Sequence, residues 1–384
     1  MKLVVFAICI ILIIPNLTTV SGNEESFFSK KTVLEGNDEG PHYNNIYHMQ
    51  EWWYFNVYLN GEDTELKNWF VLLSIQLYQN YSGLKLELFN DENESFGGDS
   101  FIDIDNATAY GPGVNVFHNK SFEIGRYPNY HIYAEFTQPD NLKITLNLTY
   151  KANSKPVWLI KNFGRNRSEC IFGYYVIMNC TTTGTISLNN TTYNVSGIGY
   201  HDHTWAPMNR KNKNITTSQI PGSSKEKVLI DLLRIWDWLC IHFDNGWDAF
   251  IGKIYAKNRN FYSKFVPGSF CLTPNGERYS EIHFFKIEII DTNQSKIPDL
   301  DIPIKVHIKA LFLNKFGFEE FMGPFILDIY YEAKNTREDI LCGNSSTFVY
   351  WVSQGPVYGT ARGLGKTISL NGWAVMETTA NSLN

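Results

Sequence analysis

The sequence is poor in charge and in cysteine, and it has no excess of positive residues. Among 384 residues, 33 Lys and Arg face 39 Asp and Glu, for a net charge of −6. A nucleic-acid binder normally carries a basic face, so that class of partner is excluded. Charged residues reach only 19% against 43% hydrophobic, which excludes a disordered chain and supports a sizeable core. Six cysteines with no Cys-x-x-Cys argue against a zinc ribbon or a thioredoxin-type motif. Gly-x-Ser-x-Gly is absent, which counts against a serine hydrolase. So is a P-loop, and Gly363-x-Gly365 lacks the third glycine of a dinucleotide fingerprint. There is no low-complexity tract and no short-period repeat.

The one long apolar run comes first. Lys2, the stretch Leu3 to Ile14, Pro15 and the small residues ending Val20-Ser21-Gly22 form the three parts of a secretory signal peptide. The run falls short of the ~20 residues of a comfortable membrane span, although an uncleaved anchor is the alternative reading. We expect residues 1–22 to be removed and the protein to be secreted, with no stable membrane span. Asn-x-Ser/Thr triplets agree: Asn80, Asn93, Asn106, Asn119, Asn147, Asn166, Asn179, Asn194, Asn214, Asn293 and Asn344, plus the adjacent Asn189 and Asn190, of which we expect at most one to be modified. Chance gives about five in such a composition, so we expect many to be surface glycosylation sites. Cys170–Cys180 and Cys240–Cys271 are plausible disulfides by proximity alone, with Cys342 left over.

Aromatic residues are abundant at 15%. They favour strands and wide apolar pockets over helical bundles. Short alternating runs recur at Trp69–Tyr78, Tyr130–Phe136, Leu142–Tyr150, Ile282–Ile290, Ile304–Phe312 and Phe325–Tyr331. Period-two alternation of this composition predicts half-buried strands. Turn signals fall between runs at Asn60-Gly61, Gly97-Gly98, Gly111-Pro112-Gly113, Asn245-Gly246 and Asn275-Gly276. The expected fold class is all-β, with antiparallel sandwiches or barrels. Lys225–Leu239 matches a helix period as well as a buried strand and is assigned as strand. The polar stretch Pro207–Lys227 reads as a linker. It divides the chain into an N-terminal domain, 23–212, and a C-terminal domain, 213–384.

Two segments could carry chemistry. On a strand, Glu51-Trp52-Trp53-Tyr54-Phe55 sends Trp52 and Tyr54 one way and Glu51, Trp53 and Phe55 the other. A carboxylate among core aromatics needs a partner or a task. In Gly197-Ile198-Gly199-Tyr200-His201-Asp202-His203-Thr204-Trp205, extended geometry places His201, His203 and Trp205 on one face. Tyr200, Asp202 and Thr204 lie on the other. Two imidazoles beside an indole suit proton transfer. A hydrogen-bonded structural cluster is the plainer alternative. A metal reading of His-x-His needs a third ligand, for which His242 or Asp244 are guesses, so no metal and no cofactor is expected.

Together, Glu-Trp-Trp-Tyr and Gly-x-Gly-Tyr-His-Asp-His-x-Trp resemble the carotenoid hydratase/AttH family, also known under the hydroxyneurosporene synthase name. Trp236-Asp237-Trp238 before Asp244-Asn245-Gly246, and the late Gly372-Trp373-Ala374-Val375-Met376-Glu377, agree. The likeness spans residues 45–378. It implies two tandem lipocalin-like β-barrels with a site near their junction. Family members include carotenoid hydratases, a secreted fungal hydratase of the isoflavonoid kievitone, and fungal pericyclases. The resemblance further implies catalytic roles for His203 and Trp205. Asp237 would match the Asp of a Tyr-x-Asp pair, but Ile235 stands where the family has Tyr.

The resemblance implies an enzyme that adds water across a C=C bond of an apolar, isoprenoid-like or prenylated molecule. Protonating carbon creates a cation, which aromatic faces stabilise by up to ~2 kcal/mol or more per ring when desolvated. The expected catalytic set is His203, Trp205, Asp202, Asp237 and His201, with Glu51, Trp52, Trp53, Tyr54, Tyr200 and Trp236 binding substrate. A carboxyl in such a pocket stays protonated because burial raises its pKa. Two other classes compete: a carrier binding a hydrophobic ligand without chemistry, and a pericyclase or isomerase that conserves mass.

Overall fold

The computed structural model describes residues 32–35, 37–42, 49–78, 81–92, 94–160, 173–207, 236–254, 268–282, 285–297, 300–313, 318–343 and 346–382. The first group of strands is β1 (Met49–Tyr58), β2 (Phe70–Leu77), β3 (Tyr81–Phe89), β4 (Ser95–Asp103), β5 (Ala107–Ala109), β6 (Val114–His118), β7 (Ser121–Arg126), β8 (Asn129–Thr137), β9 (Lys143–Ala152), β10 (Val157–Ile160), β11 (Gly173–Leu188) and β12 (Thr191–Pro207). The second is β13 (Trp236–Phe243), β14 (Asp248–Ile254), β15 (Ser269–Thr273), β16 (Ser280–Ile282), β17 (Phe285–Gln294), β18 (Asp301–Phe312), β19 (Phe325–Glu332), β20 (Asn335–Gly343), β21 (Ser346–Gly363) and β22 (Lys366–Ser382). Among the described residues the only helical element is a single 3-10 turn, Ile104–Asn106. No helix there is long and apolar enough to cross a membrane.

The strands form two curled antiparallel sheets, one of twelve strands and one of ten. The first runs β4-β3-β2-β1-β12-β11-β9-β8-β7-β6-β5, with β10 on β11. The second runs β16-β15-β14-β13-β22-β21-β19-β18-β17, with β20 on β21. The same plan is thus used twice: the opening strand of each half pairs with its closing strand, and one strand sits off the path. Curling each sheet nearly closed shields strand edges that would otherwise invite pairing with other chains.

The alternating runs form strands as expected, because their inward residues fill each barrel. Ile132, Ala134, Ile144, Leu146 and Leu148 belong to the first core, and Val306, Ile308, Leu327 and Ile329 to the second. Each Val, Leu or Ile among them is worth roughly 1.5–3 kcal/mol on burial. β2 is buried on both faces, with one face in the first barrel and Phe70 and Leu72 in a third cluster. That cluster is the seam between the halves. Tyr54, Phe70, Phe89, Val176, Met178 and Tyr200 of the first sheet pack there on Trp238, Cys240, Phe250, Tyr350, Val352 and Val375 of the second.

Several expectations are corrected. Gly97-Gly98 is no turn: both lie within β4 at positive φ, and a Cβ on Gly97 would come 2.0 Å from the Leu86 carbonyl oxygen. The glycines let the strand bend against its neighbour. Cys180, Cys240 and Cys271 are buried thiols. Cys240 is paired with Phe250 and Phe250 with Cys271, so a whole strand separates the two sulfurs expected to bridge. Cys170 lies outside the described residues, as do most of Lys225–Leu239 and Pro207–Lys227; Trp236–Leu239 is strand.

Among the triplet asparagines, Asn106, Asn119, Asn147, Asn189, Asn190, Asn194 and Asn293 are exposed. Asn179 differs. It is half-buried, and its side-chain amide donates to both oxygens of Asp248, at 3.3 and 3.2 Å, across the seam. A glycan on that nitrogen is incompatible with this contact. Asn80, Asn93, Asn166, Asn214 and Asn344 fall outside the described residues.

Candidate active site

β1 and β12 lie side by side, with Trp53 opposite His203, Tyr54 opposite Asp202 and Phe55 opposite His201. The strand pleat then splits the expected site between two compartments. Glu51, Trp53, Phe55, His201, His203 and Trp205 face the interior of the first barrel. Trp52, Tyr54, Asn56, Tyr200, Asp202 and Thr204 face the seam. The glycines of the central motif are needed for packing. A Cβ on Gly197 would meet the Tyr58 carbonyl oxygen at 2.0 Å, and one on Gly199 would strike Thr182 and the Tyr150 ring at 2.3 and 2.5 Å.

At the seam, Asp202 Oδ2 accepts from the Tyr200 hydroxyl at 2.9 Å and the Tyr174 hydroxyl at 3.3 Å. Its Oδ1 meets no hydrogen-bond partner of ordinary geometry among the described residues. Burial raises this carboxyl well above the usual range; Tyr200 works against that and the charge of Glu377 adds to it. Glu377, on β22, accepts from the Tyr54 hydroxyl at 2.5 Å, and Asn56 in turn donates to Tyr54 at 3.2 Å. Burial raises Glu377 to about 7, against the opposing hydroxyls of Tyr54 and Tyr350. Trp238 donates its indole N–H to Tyr174 at 3.0 Å and stands edge-on to Tyr200 and Tyr54. The seam therefore holds two mutually repelling carboxyls, both biased toward the protonated form, among tyrosines and indoles.

Inside the first barrel, His201 is fully satisfied. Its Nδ1 donates to the Tyr54 carbonyl at 3.0 Å and its Nε2 accepts from Tyr175 at 3.3 Å, so the ring is neutral. Burial takes it down to about 3. His203 Nε2 lies 2.8 Å from Glu51 Oε1, and its ring stacks on Trp53. Glu51 also accepts from the backbone N–H of His42 at 2.8 and 2.9 Å, with His42 Nδ1 at 3.3 Å. Burial works to raise Glu51, but the donors on His203 and His42 outweigh it and hold the carboxylate ionised. Trp205 carries the His42 ring stacked on it at 3.6 Å.

Asp237 joins neither group. It shares the inner face of β13 with Leu239 and Ile241 and accepts from Thr378 at 2.9 Å, while Trp236 and Trp238 face the seam. His242 pairs with Asp248 at 2.7 Å, and Asp244 lies exposed in a turn. The histidine that actually joins His203 is His42. The expected catalytic five are thus not brought together: Asp202 stands at the seam, His201, His203 and Trp205 in one barrel, and Asp237 in the other. Glu377, Tyr174, Tyr350, Trp238 and His42 were not singled out as site residues. Alternation could have found Glu377, since Trp373, Val375 and Glu377 lie on one face of β22.

These features define a class: a protein of two tandem barrel-like sheets with an acidic, aromatic cluster between them. No family model and no curated protein matches the sequence. Among solved structures, a Nitrosomonas europaea protein named as AttH superposes with a TM-score of 0.59 at 14% identity, covering 91% of this chain and 97% of its own. Kievitone hydratase from Nectria haematococca gives 0.54 at 13%, covering 92% and 97%. CghA gives 0.51 at 10%, covering 91% and 97%. The likeness establishes the fold across nearly the whole chain.

Proposed function

We propose that the protein is a secreted enzyme that adds water across a C=C bond of an apolar, isoprenoid-like or prenylated molecule at the seam between its barrels. The observation that carries this reading is the pair Asp202 and Glu377: two buried carboxyls that repel each other's charge within an aromatic enclosure. The structural likeness to kievitone hydratase supports the same reaction class.

Asp202, kept protonated, gives its proton to one alkene carbon. The neighbouring carbon becomes cationic, facing the rings of Trp52, Tyr54, Tyr200, Trp236 and Trp238. Water adds to that carbon and loses a proton to Glu377, whose pKa near the working pH suits a general base. Carbon has gained H and OH, and the proton on Glu377 returns to Asp202 through solvent. The tyrosine hydroxyls hold both carboxyls in place. Asp237 has no role here.

The test is mass spectrometry on protein incubated with a mixture of prenylated and polyunsaturated terpenoids. The wild type is expected to yield a product heavier by one water, and Asp202→Asn to lose roughly 10²–10⁴-fold in rate. Ligand retained unchanged by the wild type makes the protein a carrier. An active Asp202→Asn beside an inactive His203→Ala places the chemistry inside the first barrel. Either result overturns the assignment.

A further inference from the structure

The barrel-side cluster poses a hydrogen-bonding problem that His201 does not. His203 meets an oxygen acceptor at both ring nitrogens: the Asp38 carbonyl at Nδ1, 3.2 Å away, and Glu51 Oε1 at Nε2, 2.8 Å away. Both neighbours only accept, and a neutral ring carries one N–H, so one of its nitrogens is left with a lone pair facing an oxygen. Either the ring carries a second proton and donates to both, or a metal ion takes the place of the proton between Nε2 and Glu51.

We propose that His42, Glu51 and His203 form a binding site for a divalent transition metal of the zinc class, closing the first barrel. The three donor groups are borderline nitrogen and oxygen ligands, the set that zinc takes. Their ligand atoms lie within 4.8 Å of one another. Ligands about 2.0–2.1 Å from a tetrahedral ion stand about 3.3 Å apart. His42 Nδ1 is already 3.3 Å from Glu51 Oε1. The pair at 2.8 Å needs to open by about 0.5 Å, and the two imidazole nitrogens, up to 4.8 Å apart, need to close by up to about 1.5 Å, which the partly exposed His42 ring can supply. The supporting contacts suit the task. The Asp38 carbonyl fixes the His203 tautomer with Nε2 free to ligate, as outer-shell carbonyls do at metal sites. Trp205 holds the His42 ring flat, and the His42 backbone N–H, shared between both oxygens, pins Glu51.

Glu51 and His203 are fully buried, whereas the His42 side chain is 18% exposed. The fourth position therefore opens toward solvent and takes water. The ion would tie segment 37–42 to β1 and β12. That segment is already held by Trp53, which donates to the Glu39 carbonyl at 3.0 Å. Its Glu39 side chain accepts from Tyr130 at 2.7 Å.

The experiment is titration of chelator-treated full-length protein with zinc and, separately, with cobalt(II). We expect one equivalent bound, a raised unfolding temperature, and the intense visible absorption of four-coordinate cobalt. His42→Ala, altered at a partly exposed position, should weaken binding more than about 100-fold, beyond the cost of losing an outer-shell partner. Glu51→Gln, checked for folding by circular dichroism, should do the same. Equal affinity in wild type and His42→Ala, or only the weak spectrum of six-coordinate cobalt, shows that a proton alone sits at Nε2 and overturns the proposal. That outcome leaves the seam chemistry untouched, because the two sites lie on opposite faces of β12.

Discussion

Replacing Glu377 by Gln removes one ionisation from the seam while keeping the side chain's shape and its acceptor for Tyr54. In the folded protein this carboxyl binds its proton more tightly than the ordinary value of 4.5, with a pKa of about 7. Below pH 4.5 both folded and unfolded chains carry the proton, and the full stabilisation is present. As pH rises the unfolded chain releases its proton first, so the folded state loses ground until Glu377 itself ionises near pH 7. Each tenfold difference in proton affinity is worth about 1.4 kcal/mol, so the whole effect is about 3 kcal/mol. Between pH 5 and pH 8 roughly 2.5 kcal/mol of it is lost. Urea unfolding of wild type and Glu377→Gln at these two pH values reads this group together with the part of the Asp202 shift that the Glu377 charge causes, since the remaining titrating residues are common to both. The variant should be close to wild type at pH 5 and more stable by about 2–3 kcal/mol at pH 8. An equal difference at both pH values would show that Glu377 titrates as an ordinary carboxyl. The case for it as a base tuned to neutral pH would then fail.

Two further outcomes follow from the contacts between and around the halves. Lys85 is buried among Glu87 at 2.5 Å, Asp99 at 3.7 Å and Asp339 of the second half. Lys85→Met leaves Arg337, 3.5 Å from both Glu87 and Asp339, to face these carboxyls without Lys85, and should cost up to about 3–5 kcal/mol in urea unfolding; a loss below about 1 kcal/mol would mean that Arg337 and solvent already compensate the cluster. In protein secreted from eukaryotic cells, enzymatic removal of N-glycans should increase electrophoretic mobility. Asn106→Gln should remove one glycan, whereas Asn179→Gln should remove none, because the Asn179 amide is committed to Asp248. A glycan lost in Asn179→Gln contradicts that packing.

How far the sequence could be read depended on the range of the interactions involved. Alternation is local, so it located the strands and sorted side chains correctly: Trp52 and Tyr54 against Glu51, Trp53 and Phe55, and His201 and His203 against Asp202. The same period already separates Asp237 from Trp236 and Trp238, and following it would have removed Asp237 from the catalytic group. Alternation does not say which compartment a face looks into. Both faces of β12 are buried, one in a barrel and one at the seam, so an apolar pattern reads alike on either side. The partner of Tyr54 is 323 residues away in the chain: alternation puts Glu377 on one face with Trp373 and Val375, but only the packing of two sheets brings that face to Tyr54. His42 carries no periodic signal at all, because it sits outside any strand. The motif that drew attention, His201-Asp202-His203, is thus a single strand serving two sites. Its aspartate faces the seam between the barrels, and its second histidine faces a cluster inside one of them. Substituting one of the two neighbours therefore reports on a different compartment from substituting the other. Comparing Asp202→Asn with His203→Ala separates the seam from the barrel as the place where chemistry occurs.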